Sequence, residues 1–272
     1  MIRTIDSWEP YEHFFRQFWG EKSEAQREQL LTGLTEAFSK KENLCFGTFN
    51  REGMTGLFVF DPLEELYFVM RCWLTRSEAA GREMLTFLKR EYPGCGVEFT
   101  FRPENDLLRQ LLTEVGATVF PVQQDMEWKG PTPDADTTGV VLLSKAYAPQ
   151  YFALHRASDP AGETYWTGEM VAADPSGFCV FLALDAGVPV GYLDLGLDEE
   201  GNNVADLFIE AANRRKGWGR KLLGKAIEQT GTKPLTLQVD LDNDAAIRLY
   251  ESMGFRPIQG SRRVDAIWRI SK

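Results

Sequence analysis

The chain repeats itself. Sliding the sequence by 138 residues places Arg76 on Arg214, Gly81 on Gly219, Arg82 on Arg220 and Leu85 on Leu223. Asn105 then falls on Asn243, Asp106 on Asp244, Leu111 on Leu249 and Gly116 on Gly254, and a two-residue slip brings Asp125 onto Asp265 and Trp128 onto Trp268. The matches sit at glycines and helix starts, where backbone geometry restricts the choice of residue. A period this long implies two copies of one folded unit. The 272 residues therefore divide into two α/β (α+β) domains of ordinary size. Gly130-Pro131-Thr132-Pro133-Asp134-Ala135-Asp136-Thr137-Thr138-Gly139 has prolines, glycines and acids but no large apolar side chain, which is linker chemistry. The expected division is 1–129, a linker over 130–138, and 139–272.

Within each copy the apolar period alternates between 3.6 and 2. Residues 8–40 read as helical, with Tyr11, Phe14, Phe15 and Phe18 on one stripe and Leu30, Leu31, Leu34 and Phe38 on the next. Strands follow at Leu44–Phe49, Leu57–Phe60 and from Leu66, with Asp61-Pro62 expected to end the second. Ser77–Tyr92 and Asn105–Val115 read as helices around a strand at Val97–Phe101, and Val119–Trp128 as the last strand. The second copy runs through a strand at Val140–Leu143, a helix at Ala148–Arg156 and a loop or short helix over 162–173. A strand pair at Phe178–Leu184 and Val190–Leu195 follows.

Composition removes several function classes. No apolar run approaches the roughly 20 residues of a membrane-spanning helix, and Met1–Asp6 has no secretory-signal core, so a cytoplasmic location is expected and no membrane partner. A formal charge of −10 disfavours nucleic acid, whose phosphates need a cationic surface. It is compatible with cationic amines. Cys45, Cys72, Cys95 and Cys179 lie far apart without metal-ligand spacing and read as small apolar residues. With only His13 and His155 present, no metal site is expected. His155 lies in a helical pattern and reads as a helix-face residue.

Chemistry concentrates in Ala205–Phe255. An apolar strand, Asp206-Leu207-Phe208-Ile209, leads into a basic glycine turn, Arg214-Arg215-Lys216-Gly217-Trp218-Gly219, and a helix opening at Arg220. Glycines without Cβ let an anion approach the backbone, and the unpaired N–H groups of a helix start favour negative charge. The first copy lacks these features. Gly217 becomes Ala79, Arg215-Lys216 becomes Ser77-Glu78, Tyr250 becomes Leu112, and the same slide sets Phe68 against Asp206. An acid in such a turn repels phosphate, so the first copy reads as degenerate, kept for folding, homodimer formation or shaping a pocket.

Asn243-Asp244-Ala245-Ala246-Ile247-Arg248-Leu249-Tyr250-Glu251-Ser252-Met253-Gly254-Phe255 resembles the N-x-x-A-x-x-L-Y-x-x-x-G-F signature of GCN5-related N-acetyltransferases (GNAT). The strand at 206–209 with Arg214-x-x-Gly217-x-Gly219 resembles the acetyl-CoA motif of that family. The resemblance covers roughly 139–272 and extends to the first copy only through the repeat. It implies tandem domains, each a mixed, mostly antiparallel twisted sheet flanked by helices and splayed at the cofactor site. It further implies that the pantetheine arm pairs with the strand edge at Phe208 and Ile209. The pyrophosphate would sit on backbone N–H groups from Arg215 through Lys216, Gly217 and Trp218 to Gly219, among the cations Arg214 and Arg220, with Asn243 bonding from the other side.

The implied reaction is acetyl transfer from acetyl-CoA to a primary amine of a small molecule or peptide, by direct attack in a ternary complex. Asp206 is the first choice as base, with Asp194 and Glu210 in reserve, and Tyr250 is the acid that protonates the departing thiolate. Each has a plainer alternative: an exposed strand carboxylate for Asp206, a phenol packed on Phe255 for Tyr250. Tyr147, Tyr151, Phe152, Tyr165 and Trp166 read first as core and second as an acceptor pocket. A non-catalytic acyl-CoA-binding module on the same fold competes with the enzyme reading. A nucleotide-binding protein is disfavoured, because neither a P-loop lysine pattern nor GxGxxG is present.

Overall fold

Runs of apolar period two become strands in this chain and runs of period 3.6 become helices. The computed structural model describes residues 1–18, 20, 23–64, 66–131, 136–162 and 166–272. The first elements are β1 (Ile2–Thr4), α1 (Glu12–Arg16), α2 (Glu24–Ser39), β2 (Leu44–Phe49), β3 (Met54–Glu64), β4 (Tyr67–Thr75), α3 (Glu78–Glu91), β5 (Gly96–Phe101), α4 (Asp106–Glu114) and β6 (Thr118–Trp128). After them come β7 (Val140–Leu142), α5 (Ala148–Ser158), α6 (Gly168–Ala173), β8 (Phe178–Asp185), β9 (Val188–Gly196) and β10 (Asn202–Ile209). The chain closes with α7 (Trp218–Thr230), β11 (Leu235–Asp240), α8 (Asp244–Ser252), β12 (Phe255–Pro257) and β13 (Arg263–Arg269). Among the described residues no helix is long and apolar enough to cross a membrane.

Two compact units result. The first comprises Met1–Phe120 with Arg263–Lys272, and the second Pro121–Arg262. They differ from the linear division at 130–138, because the last strand of each copy lies in the other unit. In the first unit β13 pairs antiparallel with β5, from Val264 opposite Phe101 to Arg269 opposite Gly96. In the second, β6 pairs antiparallel with β11 from Gln123 opposite Asp240 to Glu127 opposite Thr236, and with β12. Residues 132–135 of the expected linker lie outside the described residues.

Each unit is a mixed, largely antiparallel sheet flanked by helices. The first unit has the strand order β1-β2-β3-β4-β5-β13 and the second β7-β8-β9-β10-β11-β6. Each contains one parallel pair, β4 with β5 and β10 with β11, and in each a helix makes the crossover such a pair requires. The repeat in the sequence is thus a repeat of strand order.

Packing follows the alternation of strand side chains. In the second unit Leu193 and Leu195 of β9 meet Leu222, Leu223, Ala226 and Ile227 of α7 on one face. On the other, Tyr192 meets Tyr151 and Leu154 of α5 and Val171 of α6. Full burial of each large apolar side chain contributes about 1.5–3 kcal/mol. In the first unit the aromatic stripe near the N-terminus is core: Phe14, Phe15 and Leu34 pack on Cys45, Leu57 and Val59. That stripe forms the separate helices α1 and α2. Asp61-Pro62 does not end β3, since Asp61 pairs with Val69 and Pro62 with Phe68 of β4. The pairing with β2 stops at Phe60, so Pro62 sits where one strand edge is free and its missing N–H is tolerated.

Trp268, buried in β13 opposite Val97, tests this division. Trp268→Ala should cost about 3–5 kcal/mol and speed amide exchange in β5, read by hydrogen-exchange mass spectrometry; exchange unchanged over Gly96–Phe101 would contradict it.

Candidate functional site

The site begins where a strand ladder opens. β10 pairs with β11 only over Asn202–Val204, opposite Leu235–Leu237. A bulge at Ala205 follows, after which Asp206–Ile209 keeps its pairing with β9 alone. A bulge bends and twists its strand. The facing edges of β10 and β11 therefore diverge, and one edge of Phe208 and Ile209 leaves the ladder. Arg214 fastens the end of this strand, its Nε donating to the Ile209 carbonyl at 2.9 Å.

The glycine turn then delivers the chain to α7. Gly217 is the N-cap at φ +89°, and no side chain caps the helix start. Arg215 also has positive φ, +66°, a conformation that costs a non-glycine residue about 1–2 kcal/mol and marks functional turns. Gly219 serves a different need: a Cβ there would stand 3.0 Å from the Leu249 Cδ2 atom. The first N–H groups of α7 have no intrahelical partner, and they open on a cleft of about 630 Å³ lined by Phe208, Ile209, Arg214, Arg215, Gly217–Arg220, Asn243, Arg248 and Tyr250. Three arginines at one helix start, faced by Arg248 from the next helix, concentrate positive charge on this cleft in a chain of net charge −10.

The other wall is α8. Asn243 is its N-cap, the side-chain oxygen accepting from the Ala246 N–H at 3.1 Å, just as Asn105 caps α4 by accepting from Leu108. The asparagines matched by the repeat are thus helix caps, and the Asn243 amide keeps its nitrogen and one oxygen lone pair for a ligand. Arg220 donates to Ser252 at 2.7 Å and reaches the Met253 sulfur. Tyr250 is buried against Phe255 yet lines the cleft. Burial, with the charges of Asp206 and Asp240, pushes its phenol up to about 12. Arg248, two residues before Tyr250 on α8, also lines the cleft and lies 3.8 Å from Asp244; the sequence did not single it out.

Beyond the bulge, on the α5 side of the sheet, lies a polar cluster. Asp206 stands opposite Asp194 of β9 and accepts from the Tyr192 phenol. Asp194 is buried and accepts from the Tyr151 hydroxyl at 2.9 and 3.0 Å. His155 Nε2 lies 3.5 Å from Asp194, and its ring stacks on Tyr192 at 5.3 Å. Burial pulls the imidazole down, but the bond and charge of Asp194, with Asp206 and Glu169, outweigh it and hold His155 above its ordinary value. Burial raises the Asp194 carboxyl, Asp206 adds to the rise, and His155 and Tyr151 oppose it. The donor atoms of His155, Asp194 and Asp206 lie within 4.8 Å of one another. Both carboxylates already accept from phenols, so the cluster satisfies itself by hydrogen bonds.

His155 and Tyr192 were not singled out by the sequence. A lone histidine at helical spacing carries no sign of the carboxylate it faces, and Tyr192 reads as a strand residue. Two expected residues lie apart from the cluster: Glu210 is exposed beyond the strand end, and Lys216 bonds Asn213 at 2.8 Å. Tyr151 is core, Trp166 is exposed, and Tyr165 lies outside the described residues. In the first unit the bulge register corrects the match for Asp206. Just past the corresponding bulge Cys72 stands opposite Val59, so Cys72, not Phe68, occupies the place of Asp206, because the connection to the next helix is shorter there. Burial pushes the Cys72 thiol up to about 12.

An open ladder, an uncapped helix start and a tyrosine on the next helix agree with the motif resemblance, and residues 142–255 match the model of the Acetyltransferase (GNAT) family. The second unit carries a GNAT domain. Among solved structures, a GCN5-related N-acetyltransferase from Sphaerobacter thermophilus superposes with TM-score 0.57 at 14% identity, covering 88% of this chain and 86% of that one. A conserved protein of unknown function from Staphylococcus epidermidis gives 0.57 at 15% identity, covering 82% and 94%. A GNAT-family protein from Novosphingobium aromaticivorans gives 0.52 at 17% identity, covering 76% and 85%. At these identities the likeness is one of fold. A stretch of 55 residues is 40% identical to part of an uncharacterized Mycobacterium leprae protein, spanning 20% of this chain and 15% of that protein's length.

The charges around His155 in the GNAT domain make a signed prediction. Asp194→Asn removes the largest raising influence and leaves burial opposed only by Asp206 and Glu169, so His155 should titrate at lower pH than in the wild type. Imidazole NMR reads this directly, and an unchanged midpoint would show that Asp194 does not raise the ring's titration.

Proposed function

We propose that the second unit binds acetyl-CoA in the cleft between β10 and α8 and transfers the acetyl group to a primary amine of a small molecule or peptide, by direct attack. The observation that carries this reading is the contrast between the two helix starts. The N-terminus of α7 is uncapped and ringed by arginines. Its counterpart α3 is closed by Ser77, whose hydroxyl accepts from the Ala80 N–H at 3.2 Å, and carries Glu78 in its first turn. An open N-terminus favours a pyrophosphate, whereas a closed acidic one opposes it. One acetyl-CoA per chain follows.

The residues support each part of the transfer. Uncapped N–H groups with Arg214, Arg215 and Arg220 suit the diphosphate, and the free edge at Phe208 and Ile209 suits the amides of an extended pantetheine arm. Asp206 takes the amine's proton as nitrogen attacks the thioester carbonyl; the C–N bond forms and the C–S bond breaks. Tyr250 gives its proton to the departing sulfur. A phenol held near 12 is protonated throughout the physiological range, the state from which an acid must start. Acidic residues around the acceptor side suit a cationic amine, and the composition suits a cytoplasmic enzyme.

Calorimetry should find one acetyl-CoA per chain. Gly217→Val, forced into a left-handed conformation, should weaken that binding at least tenfold, since the backbone must shift. Tyr250→Phe should keep the affinity and lower kcat by about 100-fold or more. Acetyl-CoA binding without any amine-stimulated release of CoA would overturn the enzyme reading and leave an acyl-CoA-binding module.

A further inference from the structure

Tyr192 and Ser158 each carry one hydroxyl proton, and each faces more than one acceptor. The Tyr192 phenol lies against the Asp206 carboxylate on one side and the Ser158 Oγ, at 2.7 Å, on the other. Ser158 Oγ also lies 2.8 Å from the backbone carbonyl of His155. The four groups form a line from Asp206 through Tyr192 and Ser158 to a carbonyl that can only accept.

That line can be satisfied in two ways. When Asp206 is ionised, Tyr192 donates to Asp206 and Ser158 donates to Tyr192, while the His155 carbonyl keeps the Asp159 N–H at 3.3 Å. When Asp206 carries a proton, Asp206 donates to Tyr192, Tyr192 to Ser158, and Ser158 to the carbonyl. Every proton has an acceptor in both states, which a buried polar group requires. Tyr192 is held in place, its ring stacked on His155 and edge-on to Tyr151, both at 5.3 Å. Ser158, at the end of α5, is only half-buried, so the line runs from the Asp206 carboxylate to a hydroxyl within reach of solvent. In the first unit the places of Asp194 and Asp206 are taken by Val59 and Cys72.

We propose that Asp206, Tyr192, Ser158 and the His155 carbonyl form a hydrogen-bond chain that reverses direction when Asp206 gains a proton, with Tyr192 and Ser158 as positioning residues for the base. The chain's catalytic use rests on the acetyltransfer reading. In that use one N–H bond of the amine breaks and one O–H bond forms at Asp206. The sulfur takes the Tyr250 proton, and solvent then restores a proton to Tyr250 and removes one from Asp206, so the protein returns to its starting state.

Asp194 and Tyr192 from β9, Tyr151 and His155 from α5 and Tyr250 from α8 interact with Asp206 directly; Ser158 reaches it through Tyr192, Glu169 of α6 acts on Tyr151 and His155, and Asp240 of β11 acts on Tyr250. Two variants change only the hydroxyls and leave the other charges alone. Tyr192→Phe keeps the stacked ring but removes the donor to the ionised carboxylate, so ionisation of Asp206 should be disfavoured in that variant. Ser158→Ala keeps that donor but removes the acceptor the protonated state needs, so Asp206 should titrate lower. Ser158→Thr, which keeps the hydroxyl, should titrate with the wild type.

The measurement is a 13C-carboxyl NMR titration of the full chain, assigned with Asp206→Asn, beside the acid limb of kcat/KM for an accepted amine. Opposite shifts for Tyr192→Phe and Ser158→Ala support the chain, and the acid limb should move with them. Shifts in the same direction, or no shift for Ser158→Ala, overturn it. Opposite shifts with no amine-stimulated CoA release would keep the chain and overturn acetyltransfer. Amine-dependent release with unmoved midpoints would do the reverse.

Discussion

The interaction on which the second unit depends is the one that stops. β10 and β11 share a ladder as far as Val204 and Leu237, and the bulge at Ala205 then turns β10 away. Had the pairing continued, both strand edges would be spent on each other and the space between them closed. Because it ends, β10 offers a free edge at Phe208 and Ile209, α7 brings its uncapped start to the mouth of the gap, and α8 sets Tyr250 beside it. The apolar residues of β9 and α7 carry the cost of this opening, since a packed core elsewhere allows one strand pair to come apart.

The first unit has the same strand order and the same opening of a parallel pair, but different chemistry. β4 pairs with β5 over Tyr67–Val69 only, and a bulge follows at Arg71. There the corresponding helix start is closed by Ser77, and the strand pair past the bulge is Val59 with Cys72. A buried thiol pushed to about 12 is no base at neutral pH. The architecture is shared, whereas the groups that could bind an anion or move a proton belong to one copy.

Charge is distributed in the second unit with the same economy. Arginines gather where α7 begins, and carboxylates gather across the sheet under α5. His155 lies within 4.8 Å of two of those carboxylates, which hold it above its ordinary value against the pull of burial. The same imidazole stacks on Tyr192, so ring packing and electrostatics fix the phenol that faces Asp206.

Much of the fold was legible in the sequence, because the repeat, the alternating strand residues and the capping asparagines Asn105 and Asn243 are local signals. The glycine turn and the Leu249-Tyr250 pair were legible for the same reason: a left-handed N-cap and a helix end are written in a few adjacent residues. The tertiary structure decided what no local pattern contains. Which copy receives β6 and which β13 depends on strand edges far apart in sequence. The true counterpart of Asp206 depends on a bulge, which shifts register without leaving a mark in composition. The setting of His155 depends on residues about 40 and 50 positions downstream, brought beneath α5 by the sheet. Sequence alone determined the elements and the glycine turn, because those are short-range. Only folding decided the acid cluster, because hydrogen bonds between side chains of different strands and helices exist only once the sheet has set their register.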